Sequence, residues 1–256
     1  MRTALLVAVL AFAALLASSD AAVSQGTAPG GPLGGARQLL LVTTAGWDSV
    51  GGTLRRFERS APGEEWRLVG EPVPVVVGRS GTAWGTGLHE AQPPASGPTK
   101  REGDGRAPAG AFRIGSAFGY PSASQVPWIR LPYIHSTESH RCVDDVESAY
   151  YNRVVDSAAV RKDWTGTVER MRLSDDQYSL GAIVEHNWGE QTRPGAGSCI
   201  FLHVWKGPGH PTAGCTAMAA PHMREVLRWL APDGEPVLVQ LPRAEYERLR
   251  ERWALP

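Results

Sequence analysis

The stretch Cys199–Met218, CIFLHVWKGPGHPTAGCTAM, decides how the chain is read. Its first part, CIFLHVW, predicts a strand, and successive side chains of a strand fall on opposite faces. Ile200, Leu202 and Val204 then share one face; Phe201, His203 and Trp205 share the other. His203 is thereby held on a rigid element among aromatic neighbours. The nine residues Lys206–Gly214 form a loop rich in Gly and Pro, able to double back and bring Cys215 to the imidazole. The thiolate is the reactive form of cysteine, and a nearby imidazolium lowers the thiol pKa from about 8.5. N–H groups around Gly214 and Cys215 are candidate donors to a tetrahedral oxyanion, and Gly214 lets a substrate approach the backbone. A helix predicted from Pro221 onward would point its positive end at this region.

Spacing alone leaves rivals. One His and one Cys twelve residues apart recur by chance. A zinc set of His203, His210, Cys215 and His186 competes, although it lacks paired, short-spaced ligands. His135, His140, Asp144 and Asp145 match no ligand motif and read as a polar loop. No metal site is therefore assigned.

Composition narrows the class. The 256 residues carry 26 Lys plus Arg and 26 Asp plus Glu, so nothing suggests electrostatic capture of nucleic acid. The 29 Gly and 20 Pro favour a mainly β fold with many turns over a helical bundle. Residues 1–22 read as a secretory signal peptide, with Arg2, an apolar run Ala4–Ala17 and a small-residue exit at Ser19-Asp20-Ala21. The rival, a membrane anchor, needs about twenty apolar residues, so no stable membrane insertion is expected after signal removal. Residues 23–36 read as a flexible linker, and residues 37–256 as one domain without internal repeats.

Three cysteines remain: Cys142, Cys199 and Cys215. In an oxidising compartment two can pair and leave a reactive third. Cys142–Cys199 is the favoured pair because Cys215 has the better chemical setting; three free buried thiols are the alternative.

Along the chain, QLLLVTT, GTLRRFERS and EEWRLVGEPVPVVVG predict strands, with a turn at Ala61-Pro62-Gly63. Leu54, Phe57, Trp66, Leu68, Val73, Val75 and Val77 are candidate core. Lys100–Gly110, KREGDGRAPAG, lacks the nucleotide-binding patterns and reads as a tight turn into the strand AFRIG. VESAYYNRVVDS predicts a helix with Val146, Tyr150 and Val154 on one face. LGAIVEHNW predicts a strand, followed by a turn around Arg193-Pro194-Gly195. PHMREVLRWL predicts a helix packing through Met223, Val226, Leu227 and Leu230, ended by Pro232 and Gly234. EPVLVQLP predicts a last strand, and RAEYERLRERW a terminal helix packing through Tyr246, Leu249 and Trp253.

His203 and Thr212-Ala213-Gly214-Cys215 resemble the catalytic segment of the L,D-transpeptidase (YkuD-type) family, which carries a strand-end histidine, a loop and a Ser/Thr-x-Gly-Cys turn. KREGDGRAPAGAFRIG looks like the family's Gly-Asp-Gly-x-x-Pro-x-Gly-x-[FY] signature. Together the two segments extend the resemblance over roughly residues 37–242. Many members have a second histidine before Gly-Cys. Here Ala213 stands there, and the His-to-Cys loop is shorter, which suggests a branch with an Ala-Gly-Cys turn.

The resemblance implies a β-sandwich or open barrel with a few peripheral helices, and a monomer without metal or organic cofactor. It implies a bacterial periplasm or cell-wall location, with peptidoglycan stem peptides as partners. Cys215 would attack the carbonyl before a terminal D-alanine, with His203 as base and the Val204 carbonyl orienting the imidazole. Candidate substrate contacts are Thr212, Ala213, Asn187, Trp205, Lys100 and Arg106, with Tyr178 beside the groove. A turn-capping role competes at Asn187, core packing at Trp205 and Tyr178, and plain solvation at Lys100 and Arg106. An L,D-carboxypeptidase or other hydrolase would use the same site. A non-catalytic envelope protein would keep only the fold.

Overall fold

QLLLVTT forms β1 (Gln38–Thr44). Its alternate side chains enter two different cores: Leu40 and Val42 join one cluster, Leu39 and Leu41 another. A strand buried on both faces reads as a continuous apolar run, which is why its pattern does not alternate. The computed structural model describes residues 31–89, 97–166 and 168–256. The signal-peptide segment and the first part of the linker lie outside the described residues.

The strands that follow are β2 (Gly51–Glu58), β3 (Arg67–Val76), β4 (Thr82–Trp84), β5 (Ala107–Gly119), β6 (Tyr133–His135), β7 (His140–Cys142), β8 (Val154–Asp156), β9 (Glu169–Arg170), β10 (Leu180–Val184), β11 (Phe201–Val204), β12 (Thr216–Met218) and β13 (Val237–Pro242). Among the described residues two α-helices, α1 (Ala220–Trp229) and α2 (Arg243–Leu249), complete the fold. The main sheet runs β10-β11-β12-β3-β2-β1-β13-β5, and β5 pairs back onto β10. That pairing closes the sheet into a barrel, with the short strands β4 and β6 attached to β5. The fold is mainly β, as the composition suggests.

Leu40, Val42, Leu54, Val73, Val75, Phe112, Leu202 and Met218 fill one side of the closed sheet. The α1 stripe Met223, Val226, Leu227 and Leu230 packs into the same cluster. Leu39, Leu41, Val237, Val239 and Leu241 lie on the other side, covered by Leu249 of α2 and by Trp253.

Three expectations are corrected. Leu68 is 54% exposed; on β3 it has the opposite parity to Val73 and Val75 and faces away from their core. VESAYYNRVVDS is not helical: its first part is turns and Val154–Asp156 is β8. Carboxylates capture the backbone there. Asp145 accepts the Glu147 and Thr165 N–H groups, and Asp163 accepts the Ala149 N–H. Such bonds compete directly with helix formation. Finally, the end of the predicted linker is packed: Leu33 and Ala36 are buried, and Arg59 donates to both of their carbonyls, at 2.6 and 2.7 Å.

Candidate active site

The parallel pairing of β11 and β12 brings the central stretch back on itself. Leu202 lies opposite Thr216, and His203 opposite Ala217. Cys215, one residue before β12, therefore sits beside Phe201, whose N–H donates to its Sγ at 3.3 Å. The alternation expected of CIFLHVW holds for its core residues. Ile200, Leu202 and Val204 enter the α1-facing core, while Phe201 joins Cys215 in a separate cluster with Phe118 and Tyr178.

Cys215 and His203 line one cavity of about 400 Å³, together with Tyr178, Glu102, Asp144 and Glu169. A larger cavity, about 650 Å³ and bounded by Gly34, Arg113 and Glu185, contains neither Cys215 nor His203. The smaller one is the candidate site because it holds the nucleophile candidate Cys215 together with the base candidate His203.

His203 is oriented by the backbone. Nδ1 lies 2.8 Å from the carbonyl oxygen of Val204. A carbonyl only accepts, so Nδ1 carries the proton and the neutral ring keeps its lone pair on Nε2. The Val204 N–H donates to the Gln177 carbonyl at 3.0 Å, which seats Tyr178 beside the imidazole. The Tyr178 and His203 rings meet edge to face, with centroids 5.1 Å apart.

The turn carrying the thiol is closed by Thr212. Its Oγ1 donates to the Cys215 carbonyl at 2.6 Å and accepts the Gly214 N–H at 3.1 Å. Behind the turn stands the Gly-rich loop: a Cβ on Gly214 would come within 3.1 Å of the Arg106 carbonyl oxygen. Glycine at 214 thus serves this close backbone approach. The loop itself is built around Asp104, which accepts from Lys100 Nζ and from the N–H groups of Arg101 and Arg106.

Cys142 and Cys199 form a disulfide, and Cys215 is free. The bridge ties β7, in the small sheet β8-β7-β9, to a residue two positions before β11. Cys199 takes a left-handed backbone with φ 55°, and its N–H is held by Asn152 Oδ1 at 2.9 Å. Its carbonyl receives the Cys215 thiol at 3.5 Å.

The family model described as the L,D-transpeptidase catalytic domain, YkuD, matches residues 64–239. The chain belongs to this family. No curated protein sequence matches it. Among solved structures it is similar to the structure of Bdellovibrio bacteriovorus Bd1075, at 13% identity and a TM-score of 0.38. That likeness covers 86% of this chain and 55% of the other, so the chain spans a little over half the length of Bd1075.

Within this L,D-transpeptidase-family domain burial disfavours the charged forms of both Cys215 and His203, where an ion pair was expected. Burial pushes the Cys215 thiol well above its ordinary range, and Glu169 adds to the push. Burial pulls His203 down to about 4, against its bond to the Val204 carbonyl. Desolvation is the largest cause at both groups and works against a thiolate–imidazolium pair. The helix expected to assist lies on the wrong side: the α1 stripe packs with Ile200, Leu202 and Val204, opposite Phe201 and Cys215. The Gly214 N–H, expected to serve an oxyanion, is engaged by Thr212.

The structure brings together Cys215, His203, Gly214, Thr212, Ala213 and Tyr178, all on the cavity wall. Four other candidates are elsewhere. Asn187 is fully buried and holds the 193–197 loop through Arg193 and Gly197. Lys100, 6% exposed, is neutralised by Asp104, and Arg106 is clamped by Asp48 and the Thr82 carbonyl. Trp205 does not border the cavity, although its backbone N–H continues the pairing to Met218. The zinc rival dissolves geometrically. His186 is buried between Thr86 and Ala196, and His210 is exposed on the loop. Among the described residues no group of three His, Cys, Asp or Glu could hold a metal ion.

Arg79, Glu102, Glu169 and Lys206 also border the cavity and were not singled out. Glu169 lies on a two-residue strand, where no periodicity exists to reveal it. Glu102 stood inside the quoted KREGDG motif, and its place beside the conspicuous glycines was the available signal.

Proposed function

We propose that this chain is an exported cysteine-dependent acyl transferase acting on peptidoglycan stem peptides, with Cys215 as nucleophile and His203 as general base. One observation carries the reading: the Nδ1 of His203 is taken up by the Val204 carbonyl, which leaves Nε2 as the basic atom in the cavity that Cys215 also lines. Family membership supports the substrate class and an exported location.

A neutral thiol and a neutral imidazole suit a general-base reaction. The Cys215 S–H turns from the Cys199 carbonyl to Nε2. As Sγ bonds to the carbonyl carbon before the terminal D-alanine, Nε2 takes the thiol proton. The Cys215 N–H supports the oxyanion, in place of the occupied Gly214 N–H. Collapse breaks the C–N bond, and the imidazolium returns its proton to the leaving amine. The thioester then passes to an acceptor amine, forming a cross-link or exchanged stem, with Nε2 again as base. Water as acceptor would make the same site an L,D-carboxypeptidase.

The test is incubation with purified tetrapeptide muropeptides, with and without a free D-amino acid, followed by mass spectrometry of the products. Exchange or dimer formation that vanishes in Cys215→Ala supports the transferase. Loss of alanine alone assigns the hydrolase. Unchanged muropeptides overturn acyl transfer and leave a non-catalytic envelope protein.

A further inference from the structure

Tyr178 shares one cavity wall with the thiol and a half-buried carboxylate, Glu169. Its ring is fixed by three others: His203 at 5.1 Å, Phe201 at 5.6 Å and Phe118 at 5.8 Å between centroids. Its hydroxyl donates to Glu169 Oε1, and the ring packs with Cys215 in one cluster on the wall of the shared cavity, where the hydroxyl acts on the thiol. Glu169 comes from β9, in the small sheet that the disulfide ties down, and borders the same cavity. Among the described residues it has no ion-pair partner.

A phenol has one proton to donate and lone pairs with which to accept. When Glu169 is ionised it accepts that proton, and Tyr178 offers only lone pairs to Cys215, which favours S–H. When Glu169 is protonated it can donate to the Tyr178 oxygen, and the phenol proton is released toward sulfur, which favours the thiolate. We propose that Glu169 is a positioning residue that sets, through the direction of the Tyr178 hydroxyl, how readily Cys215 gives up its proton. No covalent bond between heavy atoms changes in the switch; only the donor–acceptor order of the chain Glu169–Tyr178–Cys215 reverses.

The setting places this switch near neutrality. Burial, against the Tyr178 bond and helped by Asp144 and Glu102, pushes Glu169 up to about 7. The other charged or titratable groups facing the cavity are Arg79, Lys206 and His203, and Lys100 acts on Cys215 from behind the Gly-rich loop. The inference rests on Cys215 being the nucleophile of the proposed reaction. Its test reads the thiol directly, so its failure would leave acyl transfer standing.

Alkylation of Cys215 by iodoacetamide, followed by intact mass on the oxidised full chain from pH 5.5 to 8.5, is the experiment. A thiol with a fixed pKa gains tenfold in rate per pH unit below it. The wild type is expected to gain distinctly less across pH 7, because ionising Glu169 raises the thiol pKa as pH rises. Glu169→Gln, which removes the titrating charge and whose NH2 can donate to Tyr178, should recover the tenfold slope and react about tenfold faster at pH 8. In a Tyr178→Phe background, Glu169→Gln should change the rate less than twofold. A full tenfold slope throughout in the wild type overturns the proposal. So does an undiminished Glu169→Gln effect in the Tyr178→Phe background, which would mean the charge acts through space. If near-ultraviolet circular dichroism shows Glu169→Gln misfolded, the wild-type and Tyr178→Phe profiles decide: the shallow region must disappear with the hydroxyl.

Discussion

His203 donates its Nδ1–H to the carbonyl of the very next residue, Val204, across 2.8 Å. The orienting group is backbone, so no substitution at 204 removes it, and the imidazole tautomer follows from the strand itself. Replacing the ring is the available perturbation. His203→Gln should lower kcat/KM for stem-peptide acyl transfer by roughly 10²–10⁴-fold, the range of general-base losses. KM should change little, which steady-state kinetics would reveal.

The same ring sets an unusual acid limit. With its pKa drawn down to about 4, His203 stays neutral and competent well below the ordinary imidazole range. The acid limb of kcat/KM assigned to this group is expected near pH 4. A limb near 6.5 would mean that the ring is solvated in the working enzyme.

Stability carries the counterpart. His203 and His186 both have folded pKa values depressed to about 4. Their contribution is complete above the unfolded value and is lost as pH falls through 4. Glu169, raised to about 7, works oppositely: its contribution is complete below its unfolded value and is lost as pH rises through 7. At about 3 kcal/mol for each shift, two histidines against one glutamate leave a net loss of about 3 kcal/mol on acidification from pH 7.5 to 3.5. Urea unfolding of the wild type and Glu169→Gln at the two pH values measures the balance. The variant should lose more stability than the wild type on acidification.

The disulfide links residues 57 positions apart. A loop of that length corresponds to about 4 kcal/mol in the chain-entropy account, and measured values centre on about 2–4. Cys142→Ser with Cys199→Ser should lower unfolding free energy by that amount. Thiol titration of the denatured, unreduced wild type should find one reactive group, against three after reduction.

Gly214→Ala tests the turn. The added methyl would meet the Arg106 carbonyl oxygen at 3.1 Å, a backbone atom that cannot swing aside, with the Ile200 side chain 3.6 Å away. A loss of about 1–3 kcal/mol in stability is expected from the overpacking. Displacement of Cys215 should bring at least a tenfold fall in activity. Gly51→Ala on β2, where an added Cβ meets nothing within 4 Å, serves as the control.

The barrel was legible where burial imposes a period. Ile200, Leu202 and Val204 alternate with Phe201 and His203 because one side of β11 meets the α1-facing core and the other meets the site. The α1 stripe was readable for the same reason. The segment between β6 and β10 was not. Its shape depends on Asp145 and Asp163 capturing backbone N–H groups, on Asn152 clamping Cys199, and on a disulfide across the chain. None of these leaves a periodic trace. The Cys–His pair was legible as chemistry, but its charge state was not, because burial is a property of the fold. Lys100 and Arg106 misled for a related reason: Asp104 and Asp48, which neutralise them, become partners only through loop geometry.

The central claim is that Cys215 carries the acyl group. The most direct measurement is intact-protein mass spectrometry, with peptide mapping, after rapid acid quench of the protein with a tetrapeptide muropeptide. The account predicts an added mass equal to the stem lacking its terminal alanine, mapped to Cys215 and absent from Cys215→Ala. No adduct at any time point with the muropeptide left intact, or an adduct that persists in Cys215→Ala, would contradict it.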